Sequence, residues 1–112
     1  MEARLKANIW IKAQLRFLDL RCIPAVISRR GDPDAGAIFI KLINGRGQAT
    51  VLSPGFGRDG ERGWTRGTGS EPVPETEADA YLDRQADFDP DIWVLEIEDA
   101  KGLYLPEGRI FD

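Results

Sequence analysis

The stretch Arg29-Arg30-Gly31-Asp32-Pro33-Asp34-Ala35-Gly36 brings two adjacent guanidinium groups, two carboxylates and two glycines into eight residues. Arginine offers a planar fork to phosphate or carboxylate, and glycine lets backbone N–H groups approach an anion closely. Arg29, Arg30, Gly31, Asp32, Asp34 and Gly36 are therefore the candidate ligand-binding residues, and the ligand they suit is a small anion carrying phosphate or carboxylate. The same composition also describes a surface loop whose arginines pair with Asp32 and Asp34.

Other constellations fall away on chemistry. The chain has no histidine and one cysteine, Cys22. That excludes Ser-His-Asp and Cys-His catalysis, a zinc hydrolase built on imidazole, an internal disulfide and any CxxC metal or redox site. Gly55, Gly57 and Gly60 match the G-x-G-x-x-G spacing, yet that fingerprint needs a helix directly after it. Gly63, Trp64, Gly67 and Gly69 follow instead, and a P-loop's Lys-Ser/Thr ending is missing. Asp87, Asp89, Asp91 and Glu98 count as the first, third, fifth and twelfth positions of a calcium loop. Its sixth position, where glycine makes the sharp turn, is Ile92, and Pro90 stiffens the segment. No metal and no cofactor is assigned. Asp32 with Arg30, or Asp59 with Arg62, could support acid–base chemistry only if a carboxylate were buried, and no nucleophile stands beside a base. No catalytic residue is assigned, and the reading leans against an enzyme. Glu75, Asp79, Asp83 and Asp87 recur every fourth residue as an acidic ridge with i,i+4 repulsion. Its basic partners would be Lys12, Arg16, Arg29 and Arg30, in the same chain or in a second copy.

The elements that must position these residues follow from periodicity and turn chemistry. Residues 8–22 read as a helix with Asn8 as N-cap. Ile11, Leu15, Leu18 and Cys22 form one stripe, and Trp10, Ala13, Phe17 and Leu20 a second. Leu5, Ala7, Ile9 and Ile11 also alternate with period two, which is the competing strand reading of the start. Pro24 ends the element, and residues 25–29 are β-prone. Residues 37–43 and 47–53 read as a hairpin about Asn44-Gly45, the preferred pair for a two-residue type I′ turn. That turn sets Ile40 opposite Ala49 and Ile38 opposite Val51, with Leu42 on the same face. Residues 54–72 are loop-rich, with a short strand at 63–66. Pro74 at a first helical position opens a helix over 75–88, supported by Thr76 with Asp79 and ended by Pro90. Residues 91–98 form a strand apolar on both faces, Lys101-Gly102 a turn, and 103–105 a short further strand.

With 112 residues the chain suits one domain with one core. Residues 1–66 carry 12 Lys/Arg and 6 Asp/Glu, whereas residues 67–112 carry 3 and 13. The halves are expected to pack together or to pair between subunits, so that their fields partly cancel. Nucleic acid is not the expected partner, because the acidic half would repel phosphate. No apolar run approaches the roughly 18–20 residues of a membrane span, no signal peptide is legible, and no membrane partner is expected. A free cysteine suits a cytoplasmic protein.

The runs Ala3-Arg4-Leu5-Lys6 through Trp10-Ile11-Lys12, Arg29 through Ala37, Asp59-Gly60-Glu61-Arg62 with Trp64, and Phe88-Asp89-Pro90-Asp91-Ile92-Trp93-Val94 together resemble the bacterial domain-of-unknown-function family fourteen-ninety-one. The resemblance spans nearly the whole chain in order. It implies a small cytoplasmic bacterial protein and brings no reaction, cofactor or ligand.

The fold expected over residues 1–112 is a single α+β domain, a four- to five-stranded, mainly antiparallel sheet with two helices. The function expected is that of a non-enzymatic binding or accessory protein acting through protein contacts, as a homodimer. Trp10, Phe17 and Trp93 are its interface residues, since the first helix and the strand at 91–98 carry more apolar surface than one core can cover. The alternative is an enzyme or sensor taking a small anion at Arg29–Gly36.

Overall fold

Helix α1 spans Ala7–Leu20 in a computed structural model that describes residues 5–111. Ala3 and Arg4 of the resemblance lie outside the described residues. The helix begins before Asn8, and its N-cap, Lys6, makes no side-chain cap. Its first amides are served from elsewhere in the chain: Ala7 N donates to Asp34 O at 3.1 Å and Asn8 N to Pro33 O at 2.9 Å. At the other end, Cys22 N donates to Asp19 O and Ile23 N to Leu18 O, with Cys22 at φ +57°. This is a Schellman ending with cysteine in the left-handed position that glycine usually takes.

The strands are β1 (Ala25–Arg29), β2 (Ile38–Ile43), β3 (Gln48–Phe56), β4 (Arg62–Arg66), β5 (Val73–Pro74), β6 (Trp93–Glu98) and β7 (Arg109–Phe111), with helix α2 (Glu75–Phe88) between β5 and β6. They form one sheet in the order β1-β6-β2-β3-β4-β7, with β5 alongside β3. The β6·β2 and β4·β7 pairs are parallel and the rest antiparallel. The single α+β domain and the two helices match the sequence reading. The four to five mainly antiparallel strands do not: the sheet has seven and is mixed. The short pieces β5 and β7 have too few residues to show alternation. Residues 103–105 are not a strand, and the closing strand lies at β7. The parallel pairing could not be read from hairpin signals, because β6 slots between β1 and β2 from far along the chain.

The helices cover opposite faces. Ala7, Ile11 and Leu18 of α1 pack with Ile40, Leu52, Trp64, Trp93, Leu95, Ile97 and Tyr104. Ala78 and Leu82 of α2 pack with Phe39, Ala49, Val51, Ile92 and Val94. Successive strand residues point to opposite faces, so two cores stand where one was expected. This also explains why β6 is apolar on both sides.

The hairpin exists, but its register differs. Ile40 pairs with Leu52, Lys41 with Val51, Leu42 with Thr50 and Ile43 with Ala49. The connection is longer than two residues: Asn44 N donates to Gln48 O, and Asn44 Oδ1 accepts from Arg46 N at 2.9 Å. The left-handed positions are Gly45 (φ +80°) and Gly47 (φ +75°) rather than Asn44-Gly45. The pairing moves by an odd number of residues, so Val51 and Ala49 turn to the α2 face while Ile40 and Leu42 stay under α1.

Helix α2 begins at Glu75 with Pro74 just outside it and no side-chain cap. Thr76 and Asp79 do not close a capping box. Glu75 N instead donates to Gly47 O at 3.0 Å, tying the helix start to the hairpin loop.

Candidate functional site

The Arg29–Gly36 loop is built inward. Asp32 N donates to Asp91 O, Gly36 N to Asp32 O, and Asp34 N and Ala35 N to Asp32 Oδ2. Its carbonyls are committed too. Asp34 O and Pro33 O receive the first amides of α1, and Asp32 O accepts from Trp93 Nε1 at 2.7 Å. A Cβ on Gly31 or Gly36 would run into the Asp91 carbonyl oxygen. These glycines therefore permit close approach of two backbones, not of a ligand. Arg29 reaches Pro90 O at 3.2 Å, and Arg30 is exposed. The six predicted residues are together in space. The amides of Asp32, Asp34, Ala35 and Gly36 are engaged within a joint between α1, the loop and the segment before β6.

Lys41 was passed over in the sequence, and the structure makes it a centre. It sits in β2 on the α2 face, 4 % exposed. Its Nζ lies 2.8 Å from Asp79 Oδ1, 3.1 Å from Glu75 Oε1 and 3.3 Å from Glu96 Oε1. Glu96 is its register partner across the parallel β2·β6 pair. Burial pulls the lysine pKa down, but hydrogen bonds to Asp79, Glu75 and Glu96 outweigh that and hold it above the ordinary value. A basic partner of the ridge's first half is thus Lys41, which is not among the expected Lys12, Arg16, Arg29 and Arg30. The available signal was a single lysine inside the apolar run Ile-Phe-Ile-Lys-Leu-Ile and a single glutamate inside Trp-Val-Leu-Glu-Ile. A cleft of about 280 Å³ borders this cluster, lined among others by Ser28, Arg29, Asp83 and Leu82. A lysine held protonated serves neither as nucleophile nor as base.

A second open surface lies on the α1 side. Ile9 and Leu20 are 48 % and 70 % exposed, with Phe17 at 40 %. Together with exposed Ala13 they follow the i, i+4, i+8, i+11 spacing of one helical stripe. Lys6, Lys12, Arg16 and Arg21, all exposed, flank it, and the Arg21 guanidinium lies 3.7 Å from the Phe17 ring centroid. At the C-terminal end of α1 the stripe opens into a groove of about 580 Å³, whose walls include Phe17, Cys22, Pro24, Leu103 and Leu105. Leu103 and Leu105 point outward because Tyr104 between them points in. Tyr104 is buried and its hydroxyl donates to Gln14 Oε1 at 2.8 Å. Asp99 fixes the segment by accepting Leu103 N and Tyr104 N. Of the rings predicted for an interface, Trp93 is 3 % exposed inside its own chain and so is withdrawn from any partner. Trp10 is half-buried against Trp64, centroids 5.9 Å apart, and Phe17 stays in the open stripe. The role of Leu103 and Leu105 was not read from sequence, because a period of two over three residues is too short to signal a surface.

Comparison with known proteins adds the following. The family described as "Protein of unknown function (DUF1491)" matches residues 5–105. A crystal structure of a DUF1491 family protein from Caulobacter crescentus CB15 is similar at TM-score 0.85 and 36 % identity, covering 96 % of this chain and 100 % of that one. An NMR structure of a DUF1491 family protein from the same organism gives TM-score 0.83 and 36 % identity, covering 99 % and 100 %. The solution structure of protein Atu0922 from A. tumefaciens gives TM-score 0.71 and 28 % identity, covering 86 % of each chain. No curated protein matches the chain.

Proposed function

The chain belongs to the DUF1491 family, whose function is unknown, and from that premise we propose that it is a non-enzymatic binding protein whose working surface is the outer face of α1 with the adjoining groove. The observation that carries this reading is the stripe of Ile9, Phe17 and Leu20, continued by Leu103 and Leu105 at the adjoining groove, which gathers exposed apolar side chains in one place, whereas Val26, Phe56 and Phe88 are exposed on other elements. Contiguous apolar surface rimmed by polar residues marks an interaction site. Catalysis has little to draw on nearby: the Asp99 carboxylate is occupied by two amides, and burial pushes the Tyr104 hydroxyl well above its ordinary pKa.

A homodimer through α1 is one form of this reading. Pairing α1 with a second α1 sets Lys12, Arg16 and Arg21 against their own counterparts. A head-to-tail contact of α1 with the acidic α2 of another copy uses opposite faces of the sheet and propagates instead of closing. Charge therefore favours a negatively charged partner. We put the protein in a reducing cytosol, where the exposed thiol of Cys22 persists.

The test has two parts. Light scattering of the purified chain is expected to give the 12.5 kDa of a monomer, whereas a dimer mass would favour self-association. Wild type and an Ile9→Asp/Leu20→Asp variant, both folded by circular dichroism, are then added to an extract of the host cell. Wild type should move into larger assemblies or into the membrane pellet, and the variant should remain free. If both stay free and monomeric, the binding reading falls.

A further inference from the structure

Resting on the reading of α1 as a binding face, we infer that the partner is an anionic lipid surface, on which the protein docks peripherally. Six of the exposed apolar side chains come from three pieces of backbone at α1: Leu5 ahead of the helix, Ile9, Phe17 and Leu20 on it, and Leu103 and Leu105 beside its C-terminal groove; Val26, Phe56 and Phe88 are exposed on other elements. They are carried on fixed elements, since the joint at Pro33 and Asp34 holds the helix start and the Tyr104–Gln14 bond holds the 103–105 segment to α1. Helix α1 and its two caps bear Lys6, Lys12, Arg16 and Arg21 against Asp19, with Lys6 paired to Asp34 at 3.7 Å, and Lys101 adds a cation at the groove beside Glu98 and Asp99, whose carboxylate is held by two amides. A helix with apolar residues on one stripe and Lys/Arg on its borders is the form that lies at a lipid interface, with the cations at headgroup level.

The opposite side of the molecule supports the assignment. Helix α2 carries Glu75, Glu77, Asp79, Asp83 and Asp87 against Arg84 alone, and it covers the other face of the sheet. The helix charges are thus separated across the sheet, with α1 net positive and α2 net negative, while Phe88 leaves one exposed ring at the end of α2. Near an anionic surface such a molecule is turned to present α1 and to hold α2 away. An acidic protein would satisfy the same cations, but a shaped partner needs a matching set of pockets. The layout of α1, an exposed apolar stripe of Ile9, Phe17 and Leu20 bordered by Lys12, Arg16 and Arg21, is the one that suits a lipid interface. The earlier expectation of no membrane partner rested on the lack of a spanning segment, and indeed no described helix is long and apolar enough to cross a membrane. Peripheral docking needs none.

The experiment is co-sedimentation with vesicles of phosphatidylcholine containing one quarter phosphatidylglycerol, against vesicles of phosphatidylcholine alone. Wild type should pellet with the anionic vesicles, fall to background on neutral ones, and weaken as salt is raised. Lys12→Gln/Arg16→Gln should bind roughly thirtyfold more weakly, from about a fivefold loss per cation near the surface. Leu20→Ser/Leu105→Ser should bind at least tenfold more weakly while the residual binding keeps the wild-type salt dependence. Asp83→Asn/Asp87→Asn makes the same size of charge change on the α2 face and should leave binding unchanged within about twofold, a result that net charge alone does not give. Absence of wild-type binding to anionic vesicles overturns the inference, as does an α2 variant that binds as much more tightly as the α1 variant binds more weakly. If vesicles are not bound while the α1 variant still loses its assembly in the cell extract, the partner is an acidic protein: the lipid assignment is then wrong and the binding reading stands.

Discussion

Replacing Lys41 removes the cation that Glu75, Asp79 and Glu96 share, and with it the main polar tie between α2 and the sheet. Two of the carboxylates keep substantial contact with water, so Lys41→Met should cost about 2 kcal/mol, below the roughly 3–5 kcal/mol of a wholly buried broken pair. Urea unfolding near neutral pH measures it. The same lysine sets an alkaline limit. Its pKa is raised in the folded chain above the ordinary 10.5, so its contribution is complete below that value and is lost as pH rises through the folded-state pKa. The difference between wild type and Lys41→Met should therefore shrink above pH 10.5. Cys22 offers a change of the opposite sign. It holds φ +57° at the end of α1, where a side chain is strained and glycine is not. Cys22→Gly should stabilise by about 0.5–1 kcal/mol, seen as a higher urea midpoint at unchanged slope. Residue types were a partial guide here. Gly31 and Gly36 suggest the close approach of an anion, and in the structure the close neighbour of both is the Asp91 carbonyl. Lys41 looked like an ordinary outward residue because nothing in the sequence says that its face is covered.

At the level of elements, the sequence was most legible where a single stripe or a breaker decides the outcome. Helix α2 runs over the predicted residues, β1 likewise, and α1 lies within two residues of its expected ends. The register of β2 and β3 was not legible, and the reason is physical. Both strands are covered on both faces, so Phe39 and Ile43 are as apolar as Ile38 and Ile40, and the lone Lys41 between them does not mark its face as the one turned to water. The loop decides instead, through the Asn44 side chain and the left-handed Gly45 and Gly47. Gly45→Val should cost about 1–2 kcal/mol, because φ +80° is an outlier for a β-branched residue. Thermal unfolding checks this, and a melting temperature within a degree of wild type would contradict it. Strand β7 gives another measurable effect. Ile110 packs against the α1-side core, and Glu107 O accepts from Trp64 Nε1 at 2.9 Å. A chain ending at Pro106 should stay folded but melt several degrees lower, with Trp64 fluorescence shifted to the red.

For the molecule as a whole, composition showed that the two halves differ in charge but not where the charges go. The expectation was mutual cancellation. It is met at Lys41, where first-half lysine meets second-half carboxylates, and at the exposed pair of Arg109 with Glu61. Elsewhere the sheet stands between α1 and α2 and keeps the signs apart, so the asymmetry survives as a property of the surface. Two helices on two faces also account for apolar surface that seemed to call for a second subunit, as the burial of Trp93 illustrates. This part of the architecture was hidden because it depends on where β6 inserts, and insertion between two earlier strands leaves no trace in local periodicity.

That insertion has a consequence for how the protein is made. β1 and β2 are complete by residue 43, yet each is paired with β6, which ends at residue 98, and they do not pair with each other. During vectorial synthesis the β2–β3–β4 meander can assemble as the chain leaves the ribosome, while β1 waits with one open slot beside β2. Loops that long are slow to close, and an unfilled slot between β-prone edges invites pairing with the wrong strand. Folding should therefore be gated late, with a nascent chain of about ninety residues still unable to protect the amides of β2 that the complete chain protects through β6.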